Sequence, residues 1–147
     1  MTADGPPHAG ANRRASDNLE NELLALARTE PQAGGRRIVA LGDMRELGAQ
    51  APLLHAGLAT DIAENNVDLV FCCGPNMAHL HAALPAARRG AHAADSAALL
   101  PLVMRAVAPG DVVLVKGSLG SRMAPIVEAL QSLANDGSAM PRVVNGN

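Results

Sequence analysis

The chain is poor in aromatic residues: it has one Phe, no Tyr and no Trp among 147 residues. A core must therefore be filled by Ala, Leu and Val, which suits close packing of helices on a sheet. The same lack removes the platforms on which bases stack, and no basic stripe compensates beyond Arg pairs such as Arg13-Arg14 and Arg88-Arg89. With a net charge of −2, nucleic-acid binding is not expected. No apolar run approaches the ~18 residues of a membrane span, and no signal-peptide core opens the chain. The two cysteines, Cys72 and Cys73, are adjacent. Neighbours on a strand face opposite ways, so they are expected to be reduced thiols acting as small hydrophobes in a cytoplasmic protein.

What the chain does have is 48% apolar residues and enough length for one domain. Residues 1–16, rich in Gly, Pro and small polar types, are expected to be a disordered tail. Asp17, three before Glu20, opens a helix carrying Leu19, Leu23 and Leu26 to about Thr29. A strand follows at Arg37–Leu41, then a helix with Leu54, Leu58 and Ile62. Further strands are expected in Val67–Cys73, Gly90–Ala94 and Asp111–Val115, with an edge strand at Arg142–Val144. Helices fill the gaps: Asn76–Leu84, one capped by Asp95 or Ser96 with Leu99, Leu100, Val103 and Val107 inward, and a last one capped by Ser121. Continuously apolar strands alternating with helices predict a Rossmann-like, doubly wound α/β domain, its sheet mostly parallel and covered on both faces.

In such a fold ligands bind beyond the carboxyl ends of the strands. Three segments fall there: residues 41–48, 73–76 and 115–122. Lys116, the only lysine against eleven arginines, ends the clearest strand. Gly117, Ser118, Gly120 and Ser121 then lead to a helix, whose free amides with Lys116 and Arg122 make a candidate anion site. A plain Gly-Ser turn with Ser121 as helix cap accounts for the same residues. Asp43 and Glu46 suit an ammonium group or a ribose hydroxyl, or simply a helix start. Neither G-x-x-x-x-G-K-[ST] nor G-x-G-x-x-G occurs. No metal site is expected. His79 and His81 point to different sides of a helix, and His55 and His92 lack companions at ligand spacing. There is no G-x-S-x-G elbow, and no complete nucleophile–base set supports an independent small enzyme.

The stretch Arg37–Gly48, reading RIVALGDMRELG, with His55 after it, resembles the start of the C-terminal domain of the D-alanyl-D-alanine-adding Mur ligases, where the pattern is a strand and then GDM-x-ELG. Gly110–Ser118, reading GDVVLVKGS, is similar to that family's GD-x-x-LVKGS. The likeness covers about residues 17–134. It implies a three-domain ATP-dependent ligase that works with magnesium in peptidoglycan synthesis. The first domain binds the UDP-sugar peptide, the central one binds ATP, and the C-terminal one closes over both. By the same resemblance Asp43, Met44, Glu46, Leu47, Lys116, Gly117 and Ser118 line the closing face. The family's P-loop, metal ligands and catalytic bases lie in the central domain and have no counterpart here. The chain alone is thus expected to bind no cofactor, to bind D-alanyl-D-alanine weakly, and to be inactive unless the N-terminal and central domains are supplied in trans. The family's D-x-YNANP-x-S segment is replaced by Gly10–Ser16, without its Tyr, Pro and acid, a departure that bears on adenine and ribose contacts. The alternatives are a truncated frame, or a relic or interaction protein that docks onto a cell-wall ligase.

Overall fold

The computed structural model describes residues 19, 21–32, 34–43, 51–117, 121–135 and 142–145. The expected tail over 1–16 and the Asp17–Glu20 helix start lie outside these residues. The elements alternate as the apolar runs require. Helix α1 covers 21–28, followed by β1 (Arg37–Gly42), α2 (Ala51–Glu64), β2 (Leu69–Cys73), α3 (Met77–Ala83), β3 (Arg89–Ala93), α4 (Ser96–Ala106), β4 (Val112–Lys116), α5 (Ala124–Asn135) and β5 (Arg142–Asn145).

The five strands form one sheet in the order β3-β2-β1-β4-β5, and every pairing is parallel. Residues alternate between two buried faces along each strand. Val39, Leu41, Val70, Cys72, Val112 and Leu114 face one core with Leu19, Leu23 and Leu26 of the first helix, Leu58 and Ile62 of α2, and Met77 and Leu80 of α3. Ile38, Ala40, Phe71, Cys73, Val113 and Val115 face the other, with Leu99 and Val103 of α4 and Ile126, Val127 and Leu130 of α5. Burial on both faces explains why β1 and β4 read as unbroken apolar runs. Each fully buried Leu, Val or Ile contributes ~1.5–3 kcal/mol.

The lone aromatic has a made space. Pairing of β2 with β3 shifts between Val70 and Phe71, so Gly90 is an extra residue on β3. A Cβ there would stand 2.9 Å from the Phe71 ring.

At the amino edge of the sheet, charges tie neighbouring strand starts together. Arg88 donates to the Val67 carbonyl, and the Asp68 carboxylate accepts the Arg37 amide at 2.9 Å. The Asp111 carboxylate accepts the Arg36 amide and guanidinium, both at 2.9 Å, and the Ala108 amide. The Arg142 amide then donates to the Asp111 carbonyl. Asp68 accordingly serves as an anchor before β2, which starts two residues later than the apolar run at Val67 suggests.

Candidate functional site

Strand order reverses between β1 and β4. Helices α2 and α3 cover one face, and α4 crosses to the other. This seam is the topological switch point, where the carboxyl ends of two strands open a crevice. Leu41 pairs with Lys116 across it, which brings the residue-41 and residue-115 segments side by side.

Glycine is required where the two loops leave the sheet. A Cβ on Gly117 would lie 3.2 Å from Gly42 Cα and 2.9 Å from Met123 Cγ, and one on Gly42 would lie 2.6 Å from Ser121 Cβ. Side chains on either glycine would push the loops apart.

Asp43 follows directly. Its carboxylate accepts the Asn76 amide at 3.1 Å and the Met77 amide at 2.9 Å. It therefore caps α3 from another loop, satisfying amides that no residue of that helix serves. The arrangement needs Gly74, whose φ is +104° and whose Cβ would fall 2.5 Å from Asp43 Cγ. Serving a helix start is one of the roles open to Asp43 from its position after β1, and the carboxylate performs it for α3.

The Ser121 hydroxyl donates to the Asp43 carbonyl at 2.7 Å. The first turn of α5 bonds to the Met123 carbonyl, so Met123 stands at the cap position expected for Ser121. Ser121 instead ties the two loops together. Arg122 is exposed, with φ at +55°.

Lys116 points toward the α1 face, as the alternation along β4 dictates. Its ammonium lies 3.2 Å from Glu22 Oε1. Of the other expected site residues, Met44, Glu46, Leu47 and Ser118 lie outside the described residues. The structure thus brings Asp43, Lys116, Gly117 and Ser121 to one edge, with Arg122 beside them.

Next to the seam, a cleft of about 150 Å3 is lined by Asp43, Cys73, Gly74, Asp95 and Ser121. Asp95 caps α4 through the Ala98 amide at 2.9 Å, and His92 Nε2 lies 2.8 Å from the Gly74 carbonyl. Burial, then the charges of Asp43 and Asp95, push the Cys73 thiol up to about 11. Burial, then Cys73 and Asp43, push Cys72 up to about 12. Neither thiol is a nucleophile at neutral pH. Two carboxylates also make this cleft a poor cradle for phosphate. Among the described residues no three His, Cys, Asp or Glu side chains converge as a metal site. No local pattern signals the approach of His81 to His92, whose rings are 5.9 Å apart. Among the described residues no helix is long and apolar enough to cross a membrane.

Comparison with known proteins places these features in a family. The model described as Mur ligase, glutamate ligase domain, matches residues 17–119. The chain is similar to the UDP-N-acetylmuramoyl-tripeptide–D-alanyl-D-alanine ligase of Escherichia coli (strain K12), at 34% identity over 111 residues, 74% of this chain and 24% of that protein. It is also similar in fold to the MurF ligase from Thermotoga maritima solved in complex with ADP. There the TM-score is 0.60 at 22% identity, over 80% of this chain and 26% of that one. The chain spans about a quarter of the length of these relatives.

Proposed function

The chain belongs to the Mur ligase family, as its glutamate ligase domain, and on that premise we propose that it is the C-terminal, substrate-closing domain of a cytoplasmic ATP-dependent ligase that joins D-alanyl-D-alanine to a UDP-muramoyl tripeptide. The observation that carries this reading is the meeting of the carboxyl ends of β1 and β4, which lead into Asp43 and Gly117, with Leu41 opposite Lys116. Two stretches about seventy residues apart in the sequence thus form one edge at the switch point, where this fold class binds ligands.

In the proposed role Lys116 supplies positive charge for a carboxylate, and Gly42 and Gly117 let the two loops of the site pack against each other. Asp43 and Ser121 hold the loops that carry them. Bound by the rest of the enzyme, ATP with magnesium would supply the activation of the peptide carboxylate. The cleft beside Asp43 and Asp95, lined by two carboxylates, does not fit a triphosphate. The chain's own work is to hold the dipeptide so that its amine faces the activated carboxyl group and water is excluded.

The test is phosphate release with ATP, magnesium, UDP-muramoyl tripeptide and D-alanyl-D-alanine, with and without a second polypeptide carrying the UDP-sugar- and ATP-binding domains. Release is expected only when both are present. Lys116→Ala is expected to lower kcat/KM by ~10-fold or more, about 1.4 kcal/mol of binding. Release from the chain alone would overturn the need for a central domain. Silence in both, with the second polypeptide shown to be folded, would replace the proposal with the docking-only alternative, which the comparisons do not favour.

A further inference from the structure

The apolar stripe of the first helix is interrupted by one charge. Leu19, Leu23 and Leu26 are buried at the three- and four-residue spacing of a helix face. Glu22, three after Leu19 and four before Leu26, falls in the same stripe. A carboxylate placed there needs compensation, because taking a charge from water is costly. Its Oε1 is buried and, among the described residues, accepts no well-aligned hydrogen bond. The charge beside it is the Lys116 ammonium at 3.2 Å, and the two side chains are only 24% and 17% exposed.

Lys116 is the only lysine of the chain, on a flexible stem at the end of β4. Its side chain lies on the α1 face and its head ends near Glu22. A four-carbon side chain left to itself samples many rotamers, and an anchored one does not. We propose that Glu22 is a positioning residue: its carboxylate, carried by α1, holds the Lys116 ammonium at the switch-point edge. An ammonium carries three N–H donors, and the Glu22 carboxylate beside it sets the direction in which its head points. Docking of α1 thereby becomes a condition for the lysine to be in place. The role for substrate rests on the ligase reading above, whereas the ion pair itself does not.

The single lysine makes the pair measurable in the whole chain without any ligase activity. Acylation by an amine-reactive ester is followed by peptide mapping, which separates Lys116 from the terminal amine. Glu22→Gln keeps the shape and removes the charge. It is expected to raise the Lys116 acylation rate by about threefold, within the range set by partly exposed ion pairs, with unchanged far-UV circular dichroism. Glu22→Asp, which keeps the charge, is expected to recover part of the protection. In the two-polypeptide ligase assay, Glu22→Gln is expected to raise KM for D-alanyl-D-alanine by ~3–10-fold with kcat changed less than ~twofold. Equal acylation rates in wild type and Glu22→Gln would overturn the pairing. Faster acylation with an unchanged KM would overturn the positioning role while the pairing stands. An assay silent for the wild type would strike the ligase reading and leave the acylation result to decide the pair.

Discussion

At the scale of single residues, Asp43 and Gly74 act as one unit. The carboxylate closes the start of α3, and the glycine leaves the room it needs. Asp43→Ala orphans two amides and is expected to lower stability by ~1–2 kcal/mol, read as a lower urea midpoint at unchanged slope. An unchanged midpoint would mean that water replaces the carboxylate. This role is only half legible in the sequence. Acidic residues do favour helix starts, but the helix served begins 34 residues further on, a distance local patterning does not reach. Glu22 is the opposite case. A charge standing in the register of Leu19, Leu23 and Leu26, in a chain with a single lysine, is a signal that the amino-acid pattern itself carries. Attention to the leucines alone passes over it.

At the scale of elements, the parallel sheet and its two covered faces are legible because apolar runs bounded by Gly, Pro and Asp leave few other arrangements. The ends of the elements are less so. Val107 is expected on the inward face of α4; it does pack against the second core, but from an extended position just past the helix, which stops at Ala106. Ser121 is expected to cap α5, and its hydroxyl is used across the seam by Asp43. For Ser121 a tertiary contact, absent from local sequence, sets the boundary. The start of β4 carries the strongest single anchor. Asp111 is buried and accepts from Arg36 and Ala108 at once. Asp111→Ala removes that acceptor and leaves the Arg36 guanidinium without its carboxylate. A loss of ~2–3 kcal/mol is expected, mainly from the Arg36 and Ala108 amides left without their acceptor, measured by denaturant unfolding. A loss below ~1 kcal/mol would show that the pair is screened like a surface one.

At the scale of the whole molecule, Cys72 and Cys73 report on the two cores separately, since one belongs to each. With thiols raised to about 12 and about 11 and both buried, alkylation at pH 8 requires the sheet to open. Both are expected to react at one common, slow rate set by global unfolding. Faster labelling of Cys73 alone would mean that the α4–α5 face opens without the other. The strand order also has a consequence for how the protein comes to exist. Among the described strands, β1 to β3 are joined by near neighbours in the chain, and β4 pairs with β5; only β1 with β4 links the two sets. That link closes a long loop, the slow kind of contact in folding. The edge holding Gly42 and Lys116 is built by this link alone. A nascent or partly folded chain holding only its first three strands has no such edge, so competence for ligand arrives together with completion of the fold.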